Sequence, residues 1–258
     1  MQSRNPVLGR RGAFSRGGYA TSDVPSAERL ERMYAAPAYT PPRAMTYDDV
    51  VMRTAATLGV LLVAGAASWV LNLGLGVAIV ALLVGFGLAM YIIFRRSANP
   101  APILAYAAAE GVVLGVVSHV YESAYAGIVV QAILGTVLAF VGMLAVYASG
   151  RIRVTPKFTK IVVGAGFALV GLMIVNLVAR IFLPTGIGIR ADTPLGIAFS
   201  LVAIVVGCLF LALDFASIEH GVRRGAPQRE AWVAAFGLTL TLVWIYLEIL
   251  RLLSYLRD

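Results

Sequence analysis

A chain of 258 residues that is 60% hydrophobic and only 13% charged cannot cover itself with polar surface in water, since soluble domains carry roughly 25% charged residues. Its net charge of +8 would suit nucleic acid in a soluble protein. Here the basic residues are first explained by a bilayer, because Lys and Arg near helix ends set topology, and no nucleic-acid partner is expected. The one cysteine, Cys208, excludes an internal disulfide and, inside an apolar run, reads as a small packing residue.

Residues 1–50 stand apart. The stretch RNPVLGRRGAFSRGGYATS is rich in Arg, Gly and Ser, and PAYTPPR adds closely spaced prolines. Such a composition buries too little apolar surface to offset the entropy of ordering, which predicts a disordered basic tail. No signal peptide is visible, because the first long apolar run begins after Arg53. The eight arginines from Arg4 to Arg53 suit anionic headgroups; a solvated topogenic tail and a partner-binding tail both remain open.

Seven apolar runs fill residues 51–258, at 54–71, 75–94, 102–120, 125–148, 161–183, 195–215 and 232–253. Each is near the roughly 20 residues a spanning helix requires. Strands of a lipid-facing barrel would alternate polar and apolar residues, and these runs do not. The fold class expected is therefore an all-α membrane protein, a seven-transmembrane-helix bundle carrying a disordered N-terminal tail. Small residues, as in GVVLG at 111–115 and GAG at 164–166, permit close helix approach where no hydrophobic force acts between helices in lipid.

The basic residues are unevenly placed. The tail and the even-numbered connections hold Arg95 and Arg96, then Arg151, Arg153, Lys157 and Lys160, then Arg223, Arg224 and Arg229. The other side has Arg190 in a loop, Arg180 at a helix end, and Arg251 with Arg257 near the C-terminus. This asymmetry predicts a cytoplasmic N-terminus and, with seven spans, a C-terminus outside. A re-entrant last segment would reverse the second conclusion.

Few polar groups lie within the spans: Glu110 in the third, Asn176 and Arg180 in the fifth, Asp214 late in the sixth, and Glu248 with Arg251 in the seventh. A charged side chain at the bilayer centre costs about 2.5–3.5 kcal/mol on insertion scales, so such acids face a partner or a water-filled cavity and mark ion or proton pathways. Structural readings stand beside that one. Glu248 and Arg251 share a helix face and would neutralise each other; Asp214 would reach headgroup water or pair with Arg223; Glu110 would make a structural hydrogen bond within the bundle. His119 and His220 fall at opposite helix ends, so they form no metal site across the membrane. No HExxH motif, nucleophile–base pair or phosphate-cradling glycine loop is present, and no enzyme activity is expected.

Three segments carry a resemblance. LALDFASIEH at 211–220, WIYLEILRLLSYL at 244–256 and MYIIFRRSANP at 90–100 resemble, respectively, the sixth-helix aspartate segment, the seventh-helix signature and the basic end of the second helix of the Bax inhibitor-1 family. These integral membrane proteins are called TMBIM in animals and include bacterial YccA- and YetJ-like members. The likeness covers about 47–256 and leaves the tail unexplained. It implies a pH-sensitive calcium leak in a cell inner membrane, gated by a carboxylate pair, here Asp214 and Glu248, which share a proton and bind a latching arginine, here Arg95. Calcium, as permeant or bound ion at Asp214 and Glu248, is the sole small-molecule partner so implied; no cofactor is expected. Clustered carboxylate oxygens suit such a hard cation, and Glu110 would line the path.

The chain departs from the family pattern at Glu248, where Asp is usual, and at Arg251, where an uncharged amide is frequent. The connection HGVRRGAPQRE also places Glu248 much farther from its turn than Asp214. The alternative function is a non-conducting membrane regulator that binds an integral membrane protease or another membrane partner through the basic tail.

Overall fold

The computed structural model describes residues 26–28, 31 and 43–257. The chain divides into two compact units, Met1–Pro41 and Pro42–Asp258, and the expected disorder of the tail falls largely outside the described residues. Met45 and Val50 are both 4% exposed, and the first helix already begins at Tyr47.

Among the described residues from 43 onward, seven helices follow in order: α1 Tyr47–Val70, α2 Leu75–Arg95, α3 Pro100–Ala124, α4 Ile128–Ala148, α5 Pro156–Phe182, α6 Pro194–Arg223 and α7 Glu230–Tyr255. All seven are long and apolar enough to cross a membrane. Their starts are written locally. Thr46 and Asp49 form a capping box at α1, satisfying two otherwise orphaned N–H groups. Asn99, Thr155 and Thr193 cap α3, α5 and α6, each followed by a proline, whose missing N–H costs nothing in the first turn. Between α3 and α4, both Glu122 carboxylate oxygens accept backbone N–H groups, from Gly127 at 2.6 Å and Val129 at 3.1 Å.

Helices α3, α6 and α7 form the centre, with 50%, 44% and 50% of their most apolar stretches buried, against 17–22% for the other four. The peripheral helices turn large apolar side chains outward, such as Phe94 at 81% and Phe182 at 80% exposed, as lipid-facing helices do. Helix α5 contacts α6 alone among the described helices.

The α1–α3 packing is close because Gly111 and Gly115 of the GVVLG segment lie directly against the backbone carbonyls of Leu61 and Gly65. Ser68 adds a hydrogen bond from Oγ to the Val112 carbonyl at 3.2 Å. In the GAG segment only Gly166 is crowded, by the Phe210 ring, while Gly164 faces open space.

At one end of the bundle the segment before α1 joins the α6–α7 turn. Met45 N–H donates to the Ala226 carbonyl at 2.7 Å and Gln228 N–H to the Arg43 carbonyl at 2.8 Å. Gln228 Nε2 donates to Asp49 Oδ1 at 2.7 Å, and the Arg53 guanidinium lies 5.6 Å from the Trp232 ring centroid. This end also carries the α2–α3 and α4–α5 connections, with Arg95, Arg96, Arg151 and Arg153; it is called the basic end below.

Candidate functional site

The two membrane acids in the C-terminal helices occupy different levels. Nine residues separate Asp214 from the basic end of α6 at Arg223, about 13 Å of helix. Eighteen separate Glu248 from the basic end of α7 at Glu230, about 27 Å. Glu248 therefore stands much farther from the basic end than Asp214 does.

Asp214 sits where α6 crosses α7. Its Oδ2 accepts a hydrogen bond from Thr241 Oγ1 at 2.7 Å. A Cβ at Gly237, one turn earlier on α7, would stand 3.3 Å from Oδ1, so the absent side chain makes room for the carboxylate. Asp214 is not paired with Arg223, which is engaged with Glu219 at 2.5 Å.

Glu248 has a different set of neighbours. Its side chain is 4% exposed, and Oε1 is 2.9 Å from Arg190 Nη2 and 3.4 Å from Arg251 Nη1. The intrahelical pairing with Arg251 is thus present, joined by a stronger contact from the loop between α5 and α6. The fold holds that loop in place: Asn176, 3% exposed, accepts the Ile187 N–H at 2.9 Å through Oδ1. Thr193 Oγ1 donates to the Gly188 carbonyl at 3.1 Å. The Arg190 guanidinium stacks over Phe199, 5.5 Å from its centroid. Arg190 Nη1 and Trp244 Nε1 are buried without a hydrogen-bond partner, and the buried Ser200 hydroxyl lies beside the Glu248 carboxylate. The end of the bundle around Glu248 therefore holds more polar capacity than its contacts use.

This arrangement corrects the expectation of a carboxylate pair. Thr241, the residue bonded to Asp214, and Glu248 are seven positions apart on α7, about 10 Å along the axis, so Asp214 and Glu248 neither share a proton nor ligate one calcium ion. The long axial offset read from the connection is the physical reason. The expected latch is also displaced. Arg95 ends α2, exposed at the basic end, whereas the arginine that meets Glu248 most closely is Arg190, at the other end of the bundle. Glu110 does not join Asp214 either: its Oε1 lies 3.6 Å from the Cβ position of Gly85 on α2, near Tyr106 one turn back on α3.

Neither Arg190 nor Thr241 stood out in the sequence as a partner of these acids. A signal for Arg190 was there: it is a single base in a loop on the side otherwise poor in loop charge. Thr241, a neutral hydroxyl in an apolar helix, left none. His119 stacks on Trp69 with centroids 5.2 Å apart, while His220 lies at the basic end of α6. Among the described residues no three His, Cys, Asp or Glu side chains come together as a metal site.

Comparison with curated proteins finds no match. The family model described as Bax inhibitor 1 like matches residues 5–258, so the match takes in most of the tail that the resemblance had left aside. With seven membrane-length helices and this match over nearly the whole chain, the protein is a multi-pass membrane protein that belongs to the Bax inhibitor 1 like family.

Proposed function

We propose that this protein is a proton-regulated cation leak, with calcium as the ion, in a cell membrane and with its N-terminus in the cytoplasm. It performs no enzymatic reaction and needs no cofactor. The observation that carries the reading is the buried Glu248 carboxylate held by Arg190 of the α5–α6 loop at 2.9 Å. Buried ionisable groups in spanning helices mark ion or proton pathways. Here the pair ties a connection at one bundle end to the central helix α7. Protonating Glu248 removes the charge that holds both guanidiniums, so Arg190 loses its tie to α7. Asp214, bonded to Thr241 where α6 crosses α7, serves as the cation's single carboxylate stop. One carboxylate binds weakly enough for the ion to leave, as conduction requires. In this reading Arg190 performs the latching that the family resemblance assigned to Arg95.

The test is calcium flux into vesicles containing the full chain, followed against pH. Flux should rise on acidification, lose its pH dependence in Glu248→Gln, and fall in Asp214→Asn. Flux that is the same in the parent and both variants at every pH overturns the proposal.

The family match reaching residue 5 supports a second reading, a non-conducting regulator that recruits a membrane partner through its N-terminal stretch. Deleting residues 1–41 spares the buried Met45 and the Arg43 backbone bond to Gln228. The regulator reading expects that deletion to abolish the cellular phenotype with vesicle flux unchanged; a phenotype that survives rejects it.

A further inference from the structure

Helices α1 and α4 both pack on α7 but share no contact with each other, which leaves a groove of about 1480 Å³ between them. That volume exceeds the roughly 300–1,000 Å³ of ordinary small-molecule pockets. The groove is long as well as large. Its lining follows α1 from Tyr47 to Val70, about 35 Å of helix, enough to cross a hydrocarbon core about 30 Å thick. Because both walls are membrane-length helices, its open side faces the acyl chains of the bilayer.

The charged side chains that line the groove, Arg153, Glu219 and Arg223, all stand at the basic end, beside His220. The remaining lining is almost entirely apolar. Glu219 is already engaged: Tyr147 Oη donates to Oε2 at 2.5 Å, and Arg223 pairs with Oε1 at 2.5 Å. Arg153 is exposed and has no hydrogen-bond or ion-pair partner among the described residues. Two guanidiniums facing one carboxylate leave the mouth positive, and guanidinium forks match phosphate oxygens. An apolar trough as long as the hydrocarbon core is thick, with a cationic mouth at one end, has the shape and charge order of a phospholipid: phosphate at the mouth, acyl chains along the trough.

We propose that the groove between α1 and α4 is a binding site for a phospholipid with an anionic headgroup, drawn from the leaflet at the basic end, with Arg153 as its headgroup contact. The site is independent of conduction and stands whether or not the protein leaks calcium.

The experiment is native mass spectrometry of the full chain in detergent. Phosphatidylglycerol or phosphatidylcholine with identical chains is added, and glycerol 3-phosphate serves as the chain-free competitor. The parent should retain phosphatidylglycerol in preference to phosphatidylcholine. Arg153→Ala should lower phosphatidylglycerol retention about fivefold, the worth of one basic residue near a headgroup. Ala66→Trp, which fills the trough from an exposed position on α1, should lower retention of both lipids, and glycerol 3-phosphate should displace neither. Undiminished phosphatidylglycerol retention in Arg153→Ala overturns the proposal. Displacement by glycerol 3-phosphate would show a free-anion site instead, and a dimer lost in Ala66→Trp with lipid retention unchanged would show that a second copy covers the groove; either result also overturns it.

Discussion

The Arg190–Glu248 pair makes a stability prediction that can be worked through. Glu248→Gln leaves the Arg190 guanidinium, whose side chain is 16% exposed, without its counter-charge. Breaking a buried ion pair from one side costs about 3–5 kcal/mol. Arg190→Met leaves a carboxylate that is 4% exposed with only Arg251 at 3.4 Å, and should cost a similar amount. Arg251→Met removes a side chain that is 29% exposed, in the range where pairs contribute about 0–1 kcal/mol. Unfolding in mixed micelles of rising SDS fraction gives all three values and the double variant Arg190→Met/Glu248→Gln. The double variant should be less destabilised than the two singles summed, by about 1–3 kcal/mol, because residues in direct contact couple. Additivity within about 0.5 kcal/mol, or an Arg251 effect as large as that of Arg190, would refute the claim that the loop arginine holds this acid.

Further outcomes follow from the geometry. Gly115→Ala drives a methyl group into the Gly65 carbonyl and the Ser68 hydroxyl and should destabilise by about 1–3 kcal/mol; Gly164→Ala, with nothing near it, should be neutral or stabilise by up to about 1 kcal/mol, both read by the same SDS titration. Thr241→Val removes the hydroxyl that donates to Asp214 at 2.7 Å and should cost about 1–3 kcal/mol. Asn176→Leu deprives the Ile187 N–H of its acceptor; the α5–α6 loop should then be cut faster by protease added to the side it faces, and vesicle leak should increase. Arg95→Ala should leave both stability and the pH dependence of flux unchanged, since this arginine is exposed and remote from both C-terminal acids; a lost pH response would restore it as the latch.

Much of the fold was legible because the bilayer imposes one length on every span. Apolar runs near 20 residues must be helices when each backbone polar group has to be satisfied internally. The expected run starts nevertheless missed the polar first turns. Tyr47, Asp48 and Asp49 belong to α1, and Pro156 and Lys157 to α5, since a capped helix extends past the hydrocarbon into the headgroups. GVVLG at 111–115 was a weak signal in a chain with 26 glycines; only the Leu61 and Gly65 carbonyls lying against it mark these glycines as a helix contact.

The candidate site was half legible. Hydropathy alone singled out Asp214 and Glu248, because a carboxylate in an apolar run is conspicuous wherever it occurs. Their partners were not written nearby. Arg190 is 58 positions from Glu248, and Thr241 is 27 from Asp214. The amino-acid order determined seven spans, their charged and uncharged ends, and which buried acids need an explanation, since each follows from local composition against a slab of fixed thickness. The connection length already hinted that the two acids lie at different levels; tertiary structure alone decided which residues each one meets, Thr241 for Asp214 and a loop arginine for Glu248. Axial register between packed helices depends on side-chain fit and connection geometry, and no periodicity within a single helix encodes it.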